Sequence, residues 1–203
     1  RVVTYGMSEE AMYSIRQYRL KKDGTSFCLK VYDQEYDIET NLVSRFNLMN
    51  LTAAIVALHE SGVKMELIQE RVKFLTQMEG HMQMIQEGQN FNVLVDIAHT
   101  VDGLSRVLEY ATSITPKNCR IIVVNGSVGK RDKIKRQKVG NLMDQYCDMI
   151  ILTEEDPRNE SPREIAEEIA KGIDKTPYLI ISDRYDAIRQ ALELADPEDT
   201  VLV

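Results

Sequence analysis

From residue 92 onward, short apolar runs and helix-period segments alternate without a break. Strands are expected over Asn92 to Asp96, Arg120 to Asn125, Met149 to Thr153, Tyr178 to Ser182 and Thr200 to Val203. Helices are expected between them, over Gly103 to Tyr110, Ile134 to Tyr146, Ser161 to Gly172 and Arg184 to Ala195. Strand runs that are apolar on both faces, each followed by a helix, predict an α/β unit with a mainly parallel sheet covered by helices on both sides. Ser161-Pro162 supports one of these boundaries, because proline suits a first helical turn, where its missing N–H goes unused.

In such sheets, polar chemistry gathers where strands end at their carboxyl edge and helices begin. Four stretches fall there: Asp96 to Thr100, Asn125 to Asp132, Thr153 to Glu160, and Ser182 to Arg184. Each is rich in polar and charged residues, although loops of a purely structural domain are polar too.

The first 78 residues follow a different rule. Arg1 to Tyr5, Tyr13 to Leu20, Ser26 to Val31 and Glu35 to Ile38 read as short strands, and Lys22-Asp23-Gly24 as a tight turn, which predicts an antiparallel meander. Asn47 to His59 then takes a helical period, with Leu51, Ala54, Ile55 and Leu58 on one face and Gly62 as the stop. A second helix, about Met65 to Gln77, is expected to turn Leu67, Ile68, Val72 and Leu75 inward. The boundary between the two units is placed near residues 78 to 82, giving domains of 1–78 and 79–203.

The charge balance narrows the partners. A net charge of -7 argues against a broad electrostatic grip on nucleic acid or on acidic lipid, which need clustered Lys and Arg. The basic run from Lys130 to Lys138 departs from that average and has the plain reading of a solvated helix face. Cys28, Cys119 and Cys147 are odd in number and far apart, so neither a disulfide framework nor a zinc site is expected, and a reducing cytoplasm fits. No apolar run has transmembrane length, and the N-terminus is not signal-like. Arg at position 1 and the strand-like Asp199 to Val203 lead us to expect a piece of a longer protein.

The carboxyl-edge loops resemble those of a known family. Val95-Asp96-Ile97-Ala98-His99-Thr100-Val101-Asp102 resembles the D-Y-A-H-T-P-D segment of the Mur ligases. Ile121 to Ser127 and Arg131 to Arg136 are similar to their V-F-G-C-G-G-D-R-D-x-G-K-R block, and Ile151 to Glu160 to V-T-x-D-N-P-R-x-E. In the first unit, Val3-Thr4-Tyr5-Gly6 and Ser44 to Asn50 resemble T-Y-G and G-R-F-N-x-x-N, and Asp183 to Ile188 and Asp199 to Leu202 resemble R-x-E-A-I and D-V-V-L. The likeness spans essentially the whole chain and is greatest to the UDP-N-acetylmuramoyl-tripeptide synthetase type.

The resemblance implies a Rossmann-like C-terminal domain preceded by the last strands and helices of a central ATPase domain. It implies a ligase that phosphorylates the carboxylate of UDP-MurNAc-dipeptide with ATP, then lets an amino acid attack the acyl phosphate. Mg²⁺ and cationic groups would neutralise the phosphates, and domain closure would exclude water. By the same resemblance, Asn47 and Asn50 face the adenine edge, although each is also a plausible helix cap. Asp96 faces the ribose, with His99 near the phosphates and His81 at a nucleotide-binding position. Arg136 and Arg158, with Glu155 and Asp156 in the same loop set, receive the amino-acid substrate, since a guanidinium fork suits a carboxylate. Arg158 points to diaminopimelate rather than lysine.

Three departures from the family pattern stand out. His81 replaces an arginine in Gly80-His81-Met82, Asp156 replaces the asparagine of D-N-P-R, and Val128-Gly129-Lys130-Arg131 replaces G-G-D-R. No G-x-x-G-K-[ST] phosphate loop occurs, and Gly126 to Arg131 is a partial look-alike. The family's phosphate loop and metal-side groups would lie upstream, so no metal ligand is assigned within these residues. Alternatives are another ligase of the superfamily, such as folylpolyglutamate synthetase, and a non-catalytic binding module.

Overall fold

The computed structural model describes residues 2–203, and the chain separates into two compact units, Arg1–Met78 and Glu79–Val203. In the first, β1 (Tyr5–Gly6), β2 (Tyr13–Lys21), β3 (Gly24–Val31) and β4 (Gln34–Thr40) form a sheet in that order. The β2–β3–β4 meander is antiparallel, as its turn chemistry predicts, but β1 pairs parallel to β2, through Tyr5 opposite Tyr13. The predicted opening strand thus shrinks to two residues, and its Arg1 lies outside the described residues.

Helix α1 runs over Ser44–Glu60, three residues earlier than the periodicity indicates. The reason is local. Ser44 has a left-handed backbone (φ 78), and its Oγ accepts the Asn47 amide at 3.3 Å, which stands in for the side-chain cap that Val43, at the N-cap position, does not provide. Asn47 and Asn50 therefore do not precede the helix but sit inside its first turns, Asn47 half-buried and Asn50 exposed.

The buried stripe of α1 is Leu48, Leu51, Thr52, Ile55 and Val56, an i, i+3, i+4, i+7 pattern packed on β2 and β3. Ala54 and Leu58 face outward, contrary to expectation, as do Leu67 and Leu75 around α2 (Met65–Val72), which buries Met65, Ile68 and Val72. The end of α1 is pinned to the sheet by Tyr13 and Tyr32, whose hydroxyls both donate to Glu60 Oε1, at 2.9 and 2.7 Å.

The second unit contains β5 (Gln83–Ile85), β6 (Asn92–Val95), α3 (Val101–Ile114), β7 (Ile121–Asn125), α4 (Ile134–Tyr146), β8 (Met149–Leu152), α5 (Pro162–Ala170), β9 (Tyr178–Ile180), α6 (Arg184–Leu194) and β10 (Thr200–Leu202). The sheet order is β5-β6-β10-β7-β8-β9, parallel throughout except for β5, which runs antiparallel to β6. Alternate strand residues divide the core. Ile122, Val124, Ile151 and Val201 meet Ala187 and Ala191 of α6 on one face, while α3, α4 and α5 pack side by side on the other. Adjacent strands β8 and β9 thus send their following helices to opposite faces, the arrangement at whose carboxyl edge ligands bind in open α/β sheets. This mixed α/β architecture, with its mainly parallel sheet, is the one the alternation predicts.

Candidate active site

Four loops crowd the carboxyl edge, and backbone contacts join two of them closely. The loop after β7 lies against the loop after β8: Thr153 N donates to Asn125 O at 3.0 Å and Gly129 N to Asp156 O at 2.9 Å. There is no room for side chains at this seam. A Cβ on Gly129 would lie 2.0 Å from Pro157 O, and one on Gly126 would lie 2.6 Å from Thr153 O.

Glu160 closes the seam from the far side. Its carboxylate accepts the amide of Lys130, pairs with Arg136 Nη1 at 2.9 Å and with Lys133 Nζ at 3.2 Å. The hydrogen bond from Arg136 and the Lys130 amide, with Lys133 adding to them, outweigh partial burial and hold the Glu160 carboxyl at about 2.

Arg136 is 1% exposed and also pairs with Glu168 Oε2 of α5 at 2.6 Å, while Nη2 reaches Val128 O at 3.4 Å. Burial alone would lower its pKa, but the bonds to Glu160 and Glu168 raise it, so it stays charged inside the fold. A guanidinium buried this deeply and held by two internal carboxylates is not offered to an incoming one. The expectation that Arg136 receives substrate is therefore replaced by a structural part for it. Around it, Lys130, Arg131, Lys133 and Lys138 are exposed, as a solvated face would have them.

Arg158 stands at the tip of the loop after β8 with a left-handed backbone (φ 53), within the turn closed by Glu160 N donating to Pro157 O at 3.0 Å. Its side chain is 40% exposed, with Nε 3.4 Å from Asp156 Oδ2. Glu155 and Asp156 are exposed beside it. The loop after β9 joins the same group through Glu154 N donating to Ser182 O (3.2 Å) and Arg184 Nη1 to Glu154 O (3.4 Å).

The fourth loop, after β6, is organised by Asp96. Its Oδ2 accepts the Met82 amide and its Oδ1 the Ala98 amide, both at 2.8 Å, and Ile97 N donates to Gly80 O at 2.8 Å. These bonds bring the exposed His81 segment beside the exposed His99. Lys135 Nζ of α4 donates to His99 O at 3.0 Å and ties this loop to the next. Asp96 thus spends one lone pair of each oxygen on backbone and keeps others free to accept. His81, Asp96 and His99 form one neighbourhood, Glu155, Asp156 and Arg158 another, and Asn47 and Asn50 belong to the other unit.

Sequence reasoning missed Glu160, Gly129, Lys133 and Glu168. Glu160 had a signal, as an acid two residues after the loop arginine, but its partners lie 24 and 30 residues away. Among the described residues, no three His, Cys, Asp or Glu side chains gather where a metal ion could be held. No helix among them is long and apolar enough to cross a membrane.

Comparison with known proteins places this edge in context. Residues 80–203 match the model of the Mur ligase glutamate ligase domain, and residues 1–58 that of the Mur ligase middle domain. The UDP-N-acetylmuramoyl-L-alanyl-D-glutamate--2,6-diaminopimelate ligase of Halalkalibacterium halodurans is 32% identical over 203 residues, covering 100% of this chain and 41% of the relative. A solved structure of a ligase of the same name is 29% identical, with a TM-score of 0.67 over 98% of this chain and 41% of that one. The MurF ligase of Thermotoga maritima, solved in complex with ADP, shares the fold at 15% identity, with a TM-score of 0.73 over 98% of this chain and 44% of that one. The chain spans about two fifths of the length of the curated relatives it matches. Since the first of these domain models runs through every strand of the six-stranded sheet, over more than half of the chain, the protein belongs to the Mur ligase family.

Proposed function

We propose that this chain supplies the amino-acid-binding edge, and part of the nucleotide-binding surface, of an ATP-dependent ligase. That ligase joins diaminopimelate to UDP-MurNAc-dipeptide through an acyl phosphate. The observation that carries the reading is Arg158, an exposed guanidinium at the carboxyl edge on a loop fixed by its backbone, in a chain whose relatives are diaminopimelate ligases by name. A distal carboxylate calls for such a fork, and Glu155 and Asp156 beside it suit the ammonium groups of the same substrate.

In this reading the exposed loop His81, Asp96 and His99 face the nucleotide, Asp96 by its remaining lone pairs and the histidines as donors towards phosphate oxygens. The amides of Asn47 and Asn50 have the donor and acceptor pair that an adenine edge needs. Mg²⁺ would screen the phosphates, and no acid cluster suited to hold it occurs among the described residues. Residues 1–78 would then be the closing part of the central domain and 79–203 the C-terminal domain.

The test is phosphate release by the full-length protein with ATP, Mg²⁺ and UDP-MurNAc-dipeptide, comparing diaminopimelate, lysine and no amino acid. Turnover that depends on diaminopimelate is expected. Lysine dependence would keep the ligase and remove the assigned role of Arg158, and no turnover with either would move the reading to a non-catalytic module.

A further inference from the structure

Arg158 does not position itself. A left-handed backbone at a non-glycine residue is strained and persists where its surroundings over-determine it. The surroundings are specific. Asp156 O, two residues before Arg158, accepts Gly129 N; Pro157 O occupies the space that a Cβ on Gly129 would need; and Glu160, two residues after, closes the turn with its own amide on Pro157 O. The Glu160 side chain then crosses back to the neighbouring loop, where it accepts the amide of Lys130, itself left-handed (φ 52). One carboxylate therefore bridges two strained turns, and Arg136 and Lys133 hold that carboxylate in place.

We propose that Glu160 is a positioning residue for the amino-acid substrate: without touching it, Glu160 locks the loop after β8 to the loop after β7 and so fixes where Arg158 presents its guanidinium. This rests on the ligase reading given above. Glu168 offers the internal control. It meets the same Arg136 and Lys133, at 2.6 and 3.8 Å, but stands on α5, and among the described residues it has no bond to either strained turn. If charge balance around Arg136 were all that mattered, removing either acid would have the same effect. If Glu160 positions Arg158, the two variants separate.

The experiment compares Glu160→Gln, Glu160→Ala and Glu168→Gln in the full-length protein, each first shown to be folded by its thermal unfolding transition. For Glu160→Gln, the KM for diaminopimelate should rise on the order of tenfold, with kcat within about twofold and the KM for ATP unchanged. Glu160→Ala, which also loses the acceptor for the Lys130 amide, should raise it further, and Glu168→Gln should leave it within about twofold. Equal effects of Glu160→Gln and Glu168→Gln, or unchanged KM in both Glu160 variants, would overturn the proposal. A second readout is independent of turnover: amide hydrogen exchange at Lys130 and the ¹⁵N resonance of Arg158 Nε. Both should change in Glu160→Ala and stay put in Glu168→Gln. Should the unaltered protein show no turnover with any amino acid, the ligase reading falls. The exchange and resonance data then decide the loop-locking step, and their constancy in Glu160→Ala would overturn it.

Discussion

The two ends of the parallel sheet use the same bond for different purposes. At the amino end, Asp199 accepts Arg120 N at 2.7 Å and Nε at 3.0 Å, Asp148 accepts Ile121 N at 2.8 Å, and Asp144 accepts the amides of Lys175 and Thr176. Asp199 is 2% exposed, and its bonds tie one strand start to another. At the carboxyl end, Asp96 and Glu160 also accept backbone amides, but the residues they hold, Met82 and Lys130, are left-handed, and the loops so shaped carry exposed side chains such as His81, His99 and Arg158. Carboxylate-to-amide bonds stabilise at one end; at the other they fix a shape that the backbone would not adopt unaided.

The largest way to break this contrast is Arg136→Met, which takes the buried cation from two carboxylates and leaves them only Lys133 and the Lys130 amide. A loss of about 2–4 kcal/mol is expected, somewhat under that for a fully buried pair because Glu160 and Glu168 retain 17% and 32% exposure, and urea unfolding would measure it. Gly129→Ala should follow, at about 1–3 kcal/mol, since its Cβ can be admitted only if Pro157 moves; the loss should come with weaker amino-acid binding. At the other end, Asp199→Asn should cost about 1–2 kcal/mol and leave the KM values alone, and a changed KM there would show that the two ends are not separate.

Acid sharpens the comparison. Burial favours the neutral form of Asp199 and Asp144, but the backbone amides they accept outweigh it and depress both carboxyls, and Arg136 heads the groups that depress Glu160 to about 2. Groups depressed in the folded state stabilise it fully above their unfolded values, roughly pH 4 for carboxyls, and lose that contribution as the pH falls through the folded ones. The thermal midpoint should therefore be flat from neutral pH down to about 5 and fall towards pH 2. Smallest of all in stability is Arg158→Ala, expected within about 0.5 kcal/mol because the side chain is well exposed, while its KM for diaminopimelate rises.

How much of this was legible in the sequence depended on the range of the interaction. Helix α4 falls at Ile134–Tyr146, as its pattern indicates, and the parallel strands land within a residue or two at either end, because strong apolar periods are local signals. The strand β5 went unread, being three half-buried residues with no alternation to see. The start of α1 lies three residues earlier than its period because the hydroxyl of a left-handed Ser44 holds the first turn. Arg136 was misassigned for the opposite reason: its residue type suits a substrate carboxylate, but carboxylates 24 and 32 residues away claim it, and no local pattern carries that information. The loops were located by the rule for strand ends; which of their polar groups stay free is settled by packing.

The placing of β10 has a consequence for how the second unit forms. It follows every other strand of that sheet in the chain, yet it lies between β6 and β7, and Asn92 bonds to Thr200 across 108 residues. Until it arrives, the first and second parallel strands have a vacant slot between them, each with an open edge. Assembly of the sheet must therefore wait on a closure of high contact order, which favours slow folding and gives intruding strands time to pair wrongly. A strand at the centre of this sheet is thus also one whose pairing spans a long stretch of chain.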